Sequence, residues 1–132
     1  MSEATQADME TGTSTTTYVS PAKAQFHPSA AKAWTRITYS SGTPSSSVGY
    51  NVSSISDTGT GIATVNFTTS FSSTSYAMVG AGVKENAGNS VLCAYHAAVA
   101  RTVSAAAVAF NNRSDNNFLD PTEASVSFFG DQ

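Results

Sequence analysis

The sequence predicts an all-β protein: an antiparallel β-sandwich or jelly-roll-like domain of about seven to eight strands, preceded by an extended or weakly helical arm. Short runs of β-branched and aromatic residues recur from Ala33 onward, and turn residues separate them. Ser and Thr supply 38 of the 132 residues and charged residues only 11%, which suits short strands and polar turns better than long surface helices. A chain of this length has room for one domain with a core.

The chain divides into an arm, residues 1–29, and a β-body, residues 30–132. Within the arm, Ser2 is the predicted N-cap of a short helical turn through Met9, and Gly12 ends it. The following residues are β-branched and polar. A cap and first-turn proline at 20–21 then predict a second short helix that ends before Pro28. Helices this short are marginal in isolation, so the arm is expected to be weakly ordered by itself.

Period-two alternation of apolar and polar residues predicts the strands of the body and the face that each one buries. Turn residues at 57–61 and a hairpin-like turn at 85–89 separate some of them. In chain order, the predicted apolar faces are Ala33, Ile37 and Tyr39; Val48, Tyr50 and Val52; Ala63, Val65 and Phe67; Tyr76 and Met78; Val91, Cys93, Tyr95, Ala97 and Val99; Val103, Ala105, Ala107 and Ala109; and Ala124, Val126 and Phe128.

Residues 91–110 allow a second interpretation. Their many alanines also suit a helix. Two strands are preferred because the four valines of this stretch are β-branched and because Arg101-Thr102 can turn the chain.

Charge and composition argue against several classes of partner. The net charge is −3, and the six Lys and Arg residues are scattered without a basic stripe, so a nucleic-acid partner is not expected. No apolar run reaches membrane-spanning length, and the first residues lack the basic and apolar regions of a signal peptide. We therefore expect that the protein is made in the cytoplasm and that it does not insert into a membrane.

The sequence offers little for catalysis or metal binding. Cys93 is the only cysteine, so the chain alone cannot form a disulfide or a thiolate cluster. The only histidines are His27 and His96, and His96 lies three residues from Cys93, which on a strand puts the two on opposite faces. The acidic residues lie in turns and give no defensible catalytic pair. We expect no enzymatic activity, no metal and no cofactor.

Three sequence blocks follow one another within the first 79 residues. The arm carries Gly-Thr followed by Val-x-Pro-Ala, here Gly12, Thr13, Val19 and Pro21. A Lys-Ala-Trp entry strand follows at 32–34, and the third block is the run YNVSSISDTGTGIATVNFTTSFSSTSYAMV at 50–79. In this order the blocks resemble bacteriophage tail-fibre and virion appendage proteins, although the Thr-Arg-Ile after Trp34 departs from the more usual apolar stretch. From Gly80 onward only the general β character is similar.

This resemblance implies a homotrimeric virion protein without a cofactor, in many such proteins one that helps attach the virion to a bacterial surface. The arm, with Gly12, Thr13, Val19 and Pro21, would then bind other virion proteins of the tail, collar or capsid. The alternative is a decoration protein of the head, collar or tail that binds no receptor. Trp34, the only tryptophan, is expected to be a core or subunit-interface anchor.

The richest polar loop lies near the end of the body, in the stretch NNRSDNN at 111–117. Planar amides and charged groups suit sugar hydroxyls, since they provide both donors and acceptors. If the protein binds a host surface polysaccharide or outer-membrane protein, the predicted contacts are Asn111, Asn112, Arg113, Asp115, Asn116 and Asn117.

Overall fold

The computed structural model describes residues 1–85 and 89–132. The arm contains β1 (Ser2–Glu3), α1 (Gln6–Thr11), β2 (Thr17–Tyr18) and α2 (Pro21–Ala24). The body contains β3 (Ala33–Ser40), β4 (Thr43–Tyr50), β5 (Val52–Gly59), β6 (Ile62–Phe67), β7 (Ala77–Lys84), β8 (Asn89–Tyr95), β9 (Ala105–Asn112) and β10 (Glu123–Phe129).

The eight strands of the body form one antiparallel sheet in the order β4-β3-β10-β7-β8-β9-β6-β5. Its two edge strands, β4 and β5, are consecutive in the chain and are joined by Asn51 alone. Because the edges lie close together, the sheet curves round until it is nearly closed. The prediction of an all-β body with about eight antiparallel strands is confirmed.

The core fills the inside of this curved sheet. Its largest fully buried side chains include Ile37, Val65, Phe110, Val126 and Phe128. The predicted faces on β3, β6 and β10 are all correct, because their alternate residues pack into this core. Four aromatic rings, those of Phe67, Phe71, Tyr76 and Phe128, meet near one end, with centroid separations of 4.5 to 6.0 Å.

Residues 91–110 form two strands, as preferred, but the second has a different buried face from the one predicted. The chain leaves β8 after Tyr95 and turns at 97–98, earlier than the predicted turn at Arg101-Thr102. In β9 the residues in the core are Ala106, Val108 and Phe110, so the predicted face of Val103, Ala105, Ala107 and Ala109 was wrong by one position. A shift of one residue moves every side chain of a strand to the other face, and the run of alanines gave no contrast to fix it.

The predicted face of Val48, Tyr50 and Val52 was also wrong. Asn51 adopts a left-handed backbone with φ of 55°, which ends β4 and starts β5. Val48 and Tyr50 therefore lie on the outside of the sheet, whereas Val52 packs against the core. An asparagine tolerates this conformation better than most residues, and it allows two strands to follow each other without a loop.

Both predicted helices of the arm exist, with changed boundaries. The N-cap of α1 is Thr5 rather than Ser2, since Thr5 and Asp8 exchange hydrogen bonds in a capping box. Gly12 ends the helix in the left-handed conformation, as predicted. Ser2 instead lies in β1, which pairs in parallel with β2. The second helix is a single turn from Pro21 to Ala24.

Strands β7 and β8 pair antiparallel, with Lys84 opposite Asn89. The turn predicted at 85–89 falls on residues 86–88, which lie outside the described residues.

Strand β7 has two glycines, Gly80 and Gly82, on the face where an added Cβ would meet side chains of β8 and β10. A Cβ atom at Gly80 would lie 2.5 Å from Cys93 Sγ and 2.9 Å from Val126 Cγ1. A Cβ atom added at Gly82 would lie 3.1 Å from its nearest neighbour, Val91 Cγ1, and a small shift can relieve that contact. The absence of a side chain at Gly80 lets strands β8 and β10 pack their own side chains beneath β7.

We expect Gly80→Ala to lower the free energy of unfolding by about 1–3 kcal/mol, because the added methyl overpacks the core. Gly82→Ala is the matched control on the same strand and face, and we expect its effect to be close to zero, since slight crowding is offset by the lower flexibility of alanine in the unfolded chain. Urea denaturation of both variants measures the difference. Equal effects would contradict the packing difference between the two positions.

Candidate functional site

The sheet has two ends with different contents. At the arm end, β3 begins at Ala33, β4 ends at Tyr50 and β10 ends at Phe129. At the opposite end, here called the loop end, β9 ends at Asn112 and β10 begins at Glu123. The antiparallel register fixes this arrangement, because Ala33 pairs with Phe128 while Thr38 pairs with Glu123.

The predicted receptor loop, residues 111–117, lies at the loop end. Two backbone hydrogen bonds close it: Asn112 N donates to Asn117 O at 2.9 Å, and Asn116 N donates to Asn112 O at 2.8 Å. Asn116 adopts a left-handed backbone with φ of 58°. The loop is therefore a compact turn and presents its side chains from a defined backbone.

The polar side chains of this loop divide into two groups. Asn111, Asn112 and Asp115 hold the loop together, because each side chain makes a hydrogen bond to the main chain of a nearby loop residue. Arg113, Asn116 and Asn117 are exposed, and their side chains make no hydrogen bond within the described part of the chain. Of the six predicted contacts, these last three are the ones with free donors and acceptors.

An aromatic side chain that the sequence analysis did not select lies beside this loop. Phe118 is 46% exposed, and its ring lies 5.6 Å from that of His96. It forms an isolated bridge to Asn111, which places the ring next to the polar loop. In the sequence, the sign of this exposed ring is that Phe118 directly follows the run of polar residues at 111–117.

A cleft of about 470 Å³ lies at the arm end, between the arm and the body. It is lined by polar side chains with two aromatic rings among them: Gln6, Gln25, Phe26, Lys32, Tyr50, Asn51, Thr68, Thr69, Asp131 and Gln132. Sites for small molecules commonly have volumes of about 300–1,000 Å³. The sequence alone did not predict this cleft, because its residues come from six separate segments of the chain.

Asn51 shapes the wall of the cleft. Its side-chain amide donates to Lys32 O and to Thr69 O, both at 3.0 Å, and its carbonyl accepts from Thr69 N at 2.6 Å. The residue that links the two edge strands therefore also ties the start of β3 to the segment after β6. This side chain holds the cleft in shape and has little capacity left for a ligand.

Lys32 is the buried charged residue of the cleft, with 5% of its surface exposed. Its ammonium donates to one acceptor, His27 O, at 3.3 Å. Burial lowers the pKa of Lys32, while the charges of Asp131 and Glu10 act in the opposite direction. Among the described residues, the ion pair found is Arg36 with Glu123, so Lys32 has no carboxylate in direct contact.

The predicted attachment residues of the arm lie outside the cleft. Gly12 caps α1, Pro21 begins α2, and Val19 is 54% exposed. Thr13 is also exposed. These positions leave an accessible outer surface on the arm, including Val19 and the neighbouring Tyr18.

The outside of the sheet carries a patch of exposed hydrophobic side chains, here called the apolar flank. In the strand register, Tyr50 lies opposite Trp34, Trp34 opposite Ser127, and Ser127 opposite Val79. The flank consists of Trp34, Val48, Tyr50, Val79, Val83 and Leu92, each between 39% and 58% exposed. Ser127 and Arg36 lie between some of these side chains in the register. Hydrophobic side chains exposed together on one face of a sheet commonly belong to interaction sites.

No protein-family model, curated protein or solved structure matches this chain significantly. Fold and site geometry therefore carry the functional argument.

Cys93, the only cysteine in the sequence, lies partly buried in the structure. Burial raises the pKa of the Cys93 thiol to about 11, so the nucleophilic thiolate is disfavoured at neutral pH. Among residues 1–85 and 89–132 there is no group of three or more His, Cys, Asp and Glu side chains placed to hold a metal ion. In the same residues no helix has the length and apolarity needed to cross a membrane.

Proposed function

We propose that this protein is a bacteriophage virion protein, a tail fibre or fibre tip, that contributes to host attachment by binding a surface receptor or glycan. In this proposal the arm binds other virion proteins, and the loop end faces the host. Asn116, Asn117 and Arg113 provide the polar contacts, with Phe118 as an aromatic neighbour.

The observation that carries the proposal is the separation of the arm from the loop at 111–117, which lie at opposite ends of one rigid sheet. A protein that joins a particle to a cell needs two binding surfaces that can be occupied together. An exposed polar loop held by a rigid scaffold suits recognition, because its backbone is already ordered before binding.

The apolar flank supports the proposed homotrimer. Two charged side chains beside the flank, Arg36 and Glu123, pair with each other, so copies can approach through their flanks without unpaired like charges. Trp34, at the middle of the flank, is the type of residue that dominates many protein interfaces. Copies joined through their flanks would present several 111–117 loops at the same end of the assembly.

The test combines two measurements on the full chain. Light scattering is expected to give three times the monomer mass. Fluorescently labelled protein is expected to adsorb to susceptible cells in a panel of bacterial strains, and the triple variant Arg113→Ala, Asn116→Gly, Asn117→Ala is expected to reduce adsorption at least about tenfold, since three polar contacts are lost. Glycine at position 116 keeps the left-handed backbone.

The matched control is the double variant Ser72→Ala, Thr74→Ala, which changes exposed side chains at the arm end. We expect it to adsorb like the unchanged protein. A trimer that adsorbs to none of the strains but binds virions lacking it would favour the decoration role. That role is consistent with the internal use of Asn111, Asn112 and Asp115. A monomer that binds neither would contradict the proposal.

A further inference from the structure

We propose that the cleft between the arm and the body is a binding site for a neutral carbohydrate, with room for a hexose unit. This site is separate from the 111–117 loop, which lies at the other end of the sheet. The inference does not use the 111–117 loop, and it shares one residue, Tyr50, with the apolar flank.

The pattern of free hydrogen-bonding atoms in the cleft defines the chemistry of the ligand. The side-chain amide nitrogens of Gln6, Gln25 and Gln132 all donate to atoms of the protein, at 2.7 to 2.9 Å. Their carbonyl oxygens have no such partner in the described part of the chain. Each amide nitrogen keeps a second hydrogen. Together with the carboxylate of Asp131 and the hydroxyl groups of Thr68, Thr69 and Tyr50, these amides give the cleft both donors and acceptors.

A lining with both donors and acceptors suits a ligand that brings both. A sugar ring carries several hydroxyl groups, each of which donates one hydrogen bond and accepts others. An anion brings chiefly acceptors, and the charges of Lys32 and Asp131 act on it in opposite directions. The lining therefore favours a neutral polyhydroxylated ligand over a phosphate or a carboxylate.

Lys32 supplies a charged donor. Its ammonium has three hydrogens, and one neutral carbonyl at 3.3 Å is the acceptor that it contacts. A buried ammonium with so few partners retains capacity for further hydrogen bonds, and a sugar hydroxyl can accept one. Lys32 and Asp131 together offer a donor and an acceptor to a pair of neighbouring hydroxyls.

Two aromatic side chains, Phe26 and Tyr50, complete the lining. The carbon-bound hydrogens of a sugar form apolar patches that pack on aromatic rings, so the cleft offers both kinds of surface that a sugar presents. Phe26 belongs to the arm and Tyr50 to β4. A sugar held between them would contact both parts of the protein and fix the arm against the body.

The experiment uses the full, isotope-labelled chain titrated with the methyl glycosides of glucose, galactose, mannose and N-acetylglucosamine. We expect at least one to shift the backbone amide signals of Asn51, Thr69 and Gln132 in a saturable manner. Lys32→Met keeps the apolar stem and removes the ammonium, and we expect it to weaken binding about tenfold or more. Tyr50→Ala, at an exposed position, is expected to weaken binding about fivefold.

Lys84→Met is the matched control, since Lys84 also donates to a single backbone carbonyl, Asp120 O, but at the loop end. We expect it to leave sugar affinity unchanged. The proposal is overturned if no glycoside shifts the cleft amides, if inorganic phosphate or glucuronic acid binds more tightly than every neutral sugar, or if Lys84→Met weakens binding as much as Lys32→Met. If Lys32→Met fails to fold, an undiminished affinity of Tyr50→Ala overturns it. None of these outcomes decides whether the 111–117 loop mediates adsorption, because the adsorption assay tests that separately.

Discussion

Gly61→Ala is expected to lower the free energy of unfolding by about 3–5 kcal/mol, because it combines backbone strain with a clash that no side chain can relieve. Gly61 has a φ of 67°, in the left-handed region. A Cβ atom there would lie 2.6 Å from Leu119 N and 2.7 Å from Phe110 O, both of which are backbone atoms. Relief requires the segment after the 111–117 loop to move away from the sheet.

That movement would also break hydrogen bonds that fasten the loop end. Gly61 N donates to Asp120 Oδ1 at 2.6 Å, and Phe110 N donates to Gly61 O at 2.7 Å. Urea denaturation followed by circular dichroism measures the loss. Gly12→Ala is the control, since Gly12 has a similar φ of 64° but an added Cβ would meet no atom within 4 Å. Equal losses in the two variants would show that strain alone, without the clash, determines the effect.

Phe128→Ala is expected to destabilise the protein by about 3–5 kcal/mol, the usual cost of removing a large aromatic side chain from a core. Phe128 is completely buried, and its ring centroid lies 5.0 Å from that of Phe67 and 6.0 Å from that of Tyr76. The cavity would open inside the aromatic cluster that joins β6 to β10. Thermal unfolding and urea denaturation should both report the change.

Phe129→Ala provides the comparison within the same strand. Phe129 is the next residue, and it is partly exposed. We expect its loss to cost about 1 kcal/mol, because only part of its surface leaves water on folding. A cost for Phe129→Ala as large as that for Phe128→Ala would contradict the difference in burial between the two rings.

The sequence was sufficient to predict the fold class where apolar and polar residues alternate clearly. The strand with Ala63, Val65 and Phe67 has that contrast, and its buried face was correct. The stretch around Ala107 lacks that contrast, because alanine is compatible with either face of a strand. The left-handed residue Asn51 was missed as well, since a single asparagine between two valine-containing runs does not by itself predict a strand boundary.

The candidate sites differ in how far the sequence could predict them. The loop at 111–117 is continuous in the chain, so its polar composition identified it directly. The cleft unites Gln6, Lys32, Asn51 and Gln132, which only the closure of the sheet and the position of the arm bring together. Lys32 gave no local signal, because an isolated lysine before a strand is ordinarily exposed.

The single residue that joins β4 to β5 has a consequence for behaviour at high local concentration. Strands at the margins of a sheet carry unpaired backbone groups and can recruit strands from other molecules into fibrils. Here both margins belong to consecutive segments of one chain, held near each other from Asn51 outward. Each margin thus shields the other from strands of further molecules.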